Sequence, residues 1–318
     1  MTLHDHLGGQ QPDTTIVVPF HRGLPDAACL RSLIAQENAP PFEVICIDNS
    51  RGAIADSAAA LRDLIGTLRP EGAVARWVWA EAPERPGAGF ARNAGMRAAS
   101  APWLGMLDSD DFVEPDWLAR FVAQRQPGAC LVPPMVKLTS RGQRLDARHP
   151  MLTLANVEEA VVTSWFVETE RLRAVGGWSD ALKVGEDFEL SMRLQAAGLR
   201  TIKGEGGHYI WRTPERLSEV LDRGRKYAFD DLCVRALYGD TWALPFHGQD
   251  WGRSLGWLAR RVVLDAVKAL RLRSWHPMLE PAKIWWYLRY RITGERRAEL
   301  RTFRKLGTQE NQQVKTWN

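Results

Sequence analysis

The chain has 318 residues, 45% hydrophobic and 25% charged, with a formal net charge of +4, enough apolar material for a full core, which excludes a disordered or low-complexity protein. Cysteines 29, 46, 130 and 233 lie far apart with no C-x-x-C spacing, which argues against a zinc site or disulfide scaffold and for a reducing, cytoplasmic setting.

Residues 1–13 lack the basic-then-apolar order of a signal peptide and read as a flexible N-terminus. TTIVVPF (14–20) predicts a strand stopped at Pro19, followed by a helix over 27–36. EVICIDNS (43–50) predicts a second strand before a helix over 55–68. ARWVWAE (75–81) predicts a third before a helix over 89–99, and PWLGMLDSDD (102–111) a fourth, ending in carboxylates ahead of a helix that opens at Pro115. This alternation predicts helices flanking a mostly parallel sheet, an α/β fold. Further strands are expected over 130–138 and 160–168, with a polar excursion over 139–156 between them. A helix over 186–197 is closed by Gly198. From Pro214 onward the pattern is helical, with breaks at Pro245, Pro277 and Pro281, and no uncharged apolar run is long enough to span a bilayer.

Ligands of open α/β sheets bind beyond the carboxyl ends of the strands, so polar residues there carry information. Three strands end in such residues: Phe20-His21-Arg22, Asp48-Asn49-Ser50 and Asp108-Ser109-Asp110-Asp111. Three aspartates within four positions repel one another unless a cation lies between them, and carboxylate oxygens suit Mg2+ or Mn2+. The alternative is an acidic turn that caps the helix after it. Glu186-Asp187 likewise reads either as catalytic carboxylates or as acids complementing a helix dipole.

Taken together, IVVPFHRG, EVICIDNSRG, GAGFARNAGMRAASAPWLGMLDSDDF and VGGWSDALKVGEDFELSMRLQAAG resemble the inverting family 2 glycosyltransferases of the GT-A fold, over about residues 14–212. The resemblance implies a Rossmann-like GT-A domain over 14–213 with a helical C-terminal extension over 214–318. It implies transfer of one sugar from a nucleotide-diphosphate sugar to a glycan or lipid-linked acceptor, assisted by Mn2+ or Mg2+. Asp48 is then implied to accept a hydrogen bond from the nucleobase imide, favouring uracil or thymine, with a uridine-diphosphate sugar as the favoured donor. His21, where the family usually has tyrosine, would stack on the base, with Pro19 and Phe20 shaping the wall. Arg92 approaches the nucleotide or anchors its helix. Asp108 reaches the ribose or a metal-bound water, Asp110 binds the metal, and Asp111 is a second ligand or a supporting carboxylate. Asp187 is the general base, and Glu186 points toward another hydroxyl. His208 is a further metal ligand or a strand histidine. Arg212 stands where the family's Arg-x-His is interrupted and becomes the phosphate partner. Trp178, beside the acceptor site, would stack on a sugar face. The absence of Q-x-x-R-W after residue 198 points to single addition. A catalytically inactive nucleotide-binding scaffold is the competing reading. A nucleotidyltransferase is a weaker one, because PFHRGLPD replaces the phosphate loop such enzymes carry.

From Arg253 to Lys305, arginines and lysines interleave with Trp257, Trp275, Trp285, Trp286, Tyr287 and Tyr290. This pattern suits peripheral docking on an anionic membrane, the inner face of the plasma membrane, better than nucleic acid. Helical packing or an oligomer interface would produce the same pattern.

Overall fold

The computed structural model describes residues 1–302 apart from 6, 8–9, 69–73, 140–141, 145–150, 155–156, 162–163, 181, 183–185, 214–215, 239–250, 273 and 297–298. Strands β2 (Thr14–Phe20), β3 (Phe42–Asp48), β4 (Val74–Glu81) and β5 (Trp103–Met106) run parallel in the spatial order β4-β3-β2-β5. The chain builds β2 to β4 in one direction and then returns to set β5 on the other side of β2. That reversal opens a crevice between the carboxyl ends of β2 and β5, where open α/β sheets bind ligands. Every residue of β3 is buried, which is why its sequence runs apolar without alternation.

Helices α1 (Ala27–Ile34), α2 (Ser57–Thr67) and α3 (Ala88–Ala98) follow β2, β3 and β4, and α4 (Trp117–Gln124) follows the acidic cluster. Two cores divide β2 between them by period 2: Ile16, Val18 and Phe20 belong to one, Val17 to the other. Helix α3 lies so close to the sheet that a Cβ on Gly95 would stand 2.3 Å from Val17 Cγ1. Glycine at that point lets α3 bring Arg92 to the strand ends.

Several expectations are corrected. The N-terminus is not a loose lead-in, because β1 (Thr2–Asp5) pairs antiparallel with β4 and covers the edge of the sheet. The expected strand over 130–138 is cut by Pro133-Pro134, which donate no ladder hydrogen bond. Its halves, β7 (Ala129–Val132) and β8 (Met135–Leu138), enter different sheets. The run over 160–168 also divides. Strand β10 (Val157–Val161) pairs with β9 (Met151–Leu154), which lies inside the expected polar excursion, while β11 (Phe166–Glu168) sits antiparallel between β5 and β7. Strand β12 (Arg200–Lys203) completes the eight-stranded sheet. Strand β6 (Phe112–Val113), β13 (Tyr209–Arg212) and β8 form a second sheet beside the crevice.

Helices α5 (Thr169–Ala174) and α6 (Glu186–Ala196) precede the C-terminal helices α7 (Leu217–Tyr238), α8 (Trp251–Leu272) and α9 (Leu279–Thr293). Ala228, Phe229, Leu232 and Leu237 of α7 share a core with Tyr287 and Tyr290 of α9, and Leu182 joins it. The two tyrosines are therefore packing residues, not surface aromatics. Pro281 falls in the first turn of α9, where a missing N–H breaks no helical bond, so it does not interrupt the helix. Pro277 lies in a short turn over His276–Met278, and Pro245 lies outside the described residues. All four cysteines are buried free thiols. Among the described residues, no helix is long and apolar enough to cross a membrane.

Candidate active site

Asp48, Asn49 and Ser50 end β3 and are buried. Asp48 Oδ1 accepts from the Ser50 backbone N–H at 2.7 Å, and Oδ2 accepts from the Ser57 hydroxyl at the start of α2. Trp79 Nε1 donates to the same hydroxyl at 3.1 Å. Asn49, one of the polar residues expected at this strand end, ties down the loop that leads to α3 and carries no separate role in the sequence reading. Its amide donates to the carbonyls of Ala82 and Arg85, and its Oδ1 accepts from Gly87 N–H at 3.0 Å. At the end of β2, Pro19 is half-buried and His21 exposed. Phe20 is 1% exposed and part of the core, so it does not present its ring as a wall of the crevice. Burial and then Arg22 pull the His21 imidazole below its ordinary pKa, with Asp110 acting in the opposite direction.

Arg92 is the hub of the site. It is 5% exposed and meets three carboxylates from two elements distant in sequence. Nη2 donates to Asp108 Oδ1 at 2.8 Å, while Nη1 donates to Glu186 Oε1 at 2.6 Å and to Asp187 Oδ2 at 3.2 Å. Its Nε is buried without a partner. Trp178 Nε1 donates to Asp187 Oδ1 at 2.6 Å, and the Trp178 side chain is 2% exposed. The expected stacking of Trp178 on a sugar is thereby corrected: the indole is a buried hydrogen-bond donor. Asn93, one residue after Arg92, fixes the turn before it by accepting from Trp178 N–H at 2.8 Å and donating to Trp178 O at 2.8 Å. Gly177 has φ +69°, and a Cβ there would lie 2.2 Å from Asn93 Oδ1. The A-R-N and G-G-W segments are thus two sides of one contact.

One guanidinium shared by three carboxylates leaves negative charge in excess. Burial, then the Asp187 charge, push Glu186 up to about 7 against the pull of Arg92. Burial also raises Asp187, while Arg92 and the Trp178 N–H hold it down. Arg92 itself is pulled down by burial, but Asp187, Asp108 and Glu186 together hold it well above its ordinary value. Because Glu186 is raised in the folded state, the native protein binds more protons than the unfolded chain between the ordinary glutamate range and about 7. Stability from this group is therefore present at acid pH and lost as pH rises through that window. Glu186→Gln is expected to raise the unfolding free energy by about 2 kcal/mol at pH 8 and by little near pH 5. Urea melts of both proteins at the two pH values measure this; equal midpoints at pH 8 would count against a strained Glu186 carboxylate.

The aspartates after β5 diverge. Asp110 is exposed at the crevice, and surrounding protein, then the Asp108 charge, raise its pKa. Asp111 turns away and is 2% exposed. It accepts from the Tyr209 hydroxyl and from Arg212 N–H at 2.8 Å, so it fastens β13 and does not join Asp110 as a ligand. Burial, then Asp110 and Asp108, hold Asp111 well above the carboxylate range. His208 is not brought to the aspartates either. It lies at the other end of β13 from Arg212, where its Nδ1 is 2.5 Å from Glu114 Oε2. Arg212 Nη1 donates to Asp26 Oδ2 at 2.5 Å, and its guanidinium lies over Phe112. The expected phosphate partner is therefore held by a carboxylate at the N-cap of α1. A cleft of about 370 Å³ opens beside it, lined by Phe112, Leu138, Thr139 and Thr213.

Among the described residues, no group of three or more His, Cys, Asp or Glu surrounds a common point as a complete metal site. The raised, exposed Asp110 beside Asp108 does fit a cation held by one or two protein carboxylates with substrate oxygens completing the shell.

Known proteins resemble this chain in sequence and in fold. Residues 15–137 match the model of the family described as Glycosyl transferase family 2. The succinoglycan biosynthesis protein ExoO of Rhizobium meliloti (strain 1021) is 30% identical over 236 residues, 66% of this chain and 64% of the relative. The pre-mycofactocin glycosyltransferase of Mycobacterium tuberculosis (strain CDC 1551 / Oshkosh) is 26% identical over 208 residues, 61% of this chain and 41% of the relative. The chain thus spans under two thirds of the length of these curated relatives. Among solved structures, the mannosyltransferase PcManGT of Pyrobaculum calidifontis, in complex with GDP-Man and Mn2+, superposes with a TM-score of 0.58 over 88% of each chain at 16% identity, a likeness of fold. The strand order, the crevice and the matched segment agree: residues 15–137 are similar to the family 2 glycosyltransferases, and the chain has the GT-A fold.

Proposed function

We propose that this protein transfers a single sugar, with inversion, from a nucleotide-diphosphate sugar to a hydroxyl of a glycan or lipid-linked acceptor. The observation that carries this reading is the meeting of Asp108, Glu186 and Asp187 on the Arg92 guanidinium at the carboxyl ends of the parallel strands. Residues 14–213 form the donor-binding and catalytic part, and 214–318 a helical extension, working on the cytoplasmic side of the cell. In this reading Asp48, at the carboxyl end of β3 next to the end of β2, receives the nucleobase, with His21 and Pro19 of the neighbouring strand end contributing and uracil favoured. Asp187 accepts the proton of the attacking hydroxyl, for which a raised carboxylate pKa is the better match. Arg92 holds Asp187 and Asp108 in one frame, and Glu186 keeps Arg92 in place. Mn2+ or Mg2+, held by Asp110 with Asp108, would neutralise charge on the departing diphosphate. The GDP-Man and Mn2+ in the PcManGT structure, a neighbour in fold, support a nucleotide-sugar donor and a divalent metal.

Thermal shift with nucleoside diphosphates tests the reading. Uridine diphosphate with Mn2+ is expected to raise the midpoint more than guanosine or thymidine diphosphate does, by the equivalent of about 2.7 kcal/mol at a hundred times Kd. Asp110→Ala is expected to remove the manganese-dependent part of the shift. If no nucleoside diphosphate stabilises the protein, the reading fails; binding without turnover of any nucleotide sugar would favour an inactive scaffold.

A further inference from the structure

We infer that α8 lies in the headgroup region of an anionic bilayer, docking the protein peripherally through one defined face. This surface is separate from the crevice and does not depend on the sugar-transfer reading. Helix α8 leaves large apolar side chains in water: Val263 is 62% exposed, Leu264 54%, Val267 43% and Leu270 70%. At 100° per residue, Val263, Val267 and Leu270 fall within one narrow sector. Arg260 and Arg271 lie beside them, with Leu264 and then Lys268 on the far flank. The inward side carries Asp265 and Ala269, both buried. Asp265 is the single acid of α8, so the outward face has no negative charge. Arg260, Lys268 and Arg271 are exposed and, among the described residues, pair with no carboxylate. Beyond α8, Trp275 is 38% exposed, and α9, packed on α8, exposes Trp285 and Ile292.

Charge chooses the occupant. A second copy of the same face would bring unpaired cations against cations, whereas phosphate and carboxylate headgroups complement them while acyl chains receive the valines and leucine. No helix among the described residues is apolar enough to span the bilayer, so the contact is interfacial. The basic Trp-rich stretch is thereby divided: Tyr287 and Tyr290 build the core, and α8 faces outward.

Co-sedimentation of the full chain with vesicles measures the docking. Binding is expected to vesicles of equal parts phosphatidylserine and phosphatidylcholine and to be lost with pure phosphatidylcholine. The variant carrying Arg260→Glu, Lys268→Glu and Arg271→Glu is expected to bind about a hundredfold more weakly. The variant carrying Val263→Ser, Val267→Ser and Leu270→Ser is expected to weaken by a similar factor, while melting midpoints of both, whose changes are all on exposed positions, stay near wild type. Absence of wild-type binding, undiminished binding by both variants, or equal binding to neutral vesicles would overturn the inference. So would a dimer in solution that the serine variant dissociates.

Discussion

Asp187→Asn is expected to lower kcat for sugar transfer by about a thousandfold, the scale of a positioned general base, with little change in donor KM. Asparagine keeps the shape and can still accept from Trp178 Nε1, so the turn over 176–178 and the start of α6 should remain folded. What disappears is the capacity to take a proton. Trp178→Phe provides the graded comparison. The indole N–H stabilises the charged form of Asp187, so removing it raises the Asp187 pKa further and moves the acid limb of the kcat/KM profile to higher pH. Initial rates across pH for the three proteins measure both effects. Wild-type kcat in Asp187→Asn would remove Asp187 from the chemistry and leave it a structural acceptor.

Arg92→Leu is expected to cost about 3–5 kcal/mol of stability, because removing one partner of a buried ionic group leaves the others uncompensated. Here Glu186 and Asp187, both 6% exposed, would lose the cation they share, with the Trp178 N–H still donating to Asp187. The loss should shrink at acid pH, where the carboxylates are protonated, and Glu186→Gln in the same background should recover part of it. Arg92→Lys should rescue poorly, since a single ammonium cannot donate to Asp108 from one nitrogen and to the Glu186–Asp187 pair from another. Urea unfolding of the four proteins at neutral and acid pH gives the values. A loss below about 1 kcal/mol at neutral pH would mean that water replaces the guanidinium and that Arg92 is not the hub.

The strands β2 to β5 and the helices between them were legible because local pattern decided them. Continuous β-branched runs suit a strand buried on both faces, and Gly198 closes its helix by backbone geometry alone, whereas Pro19 does not stop β2 but pairs with Ile47 inside it. Element types failed where pairing partners decided. TLHD has little strand character of its own and becomes β1 because β4 offers an unpaired edge. Pro133-Pro134 looked tolerable inside one strand until two sheets claimed its halves.

For the site, the sequence by itself determined which chemistry was on offer: acids after strands, Arg92 and Asn93 on one helix, Glu186-Asp187 opening another. These are properties of residue type and spacing, and spacing fixes position along a strand or helix. Only the tertiary structure decided direction and company. It turned Asp111 inward to Tyr209, gave His208 to Glu114 and Arg212 to Asp26, buried Trp178 against Asp187, and set Arg92 among three carboxylates drawn from far along the chain. A side chain's partner depends on contacts between elements distant in sequence, and the pull of burial against those contacts, which no local pattern encodes, sets each charge in the crevice.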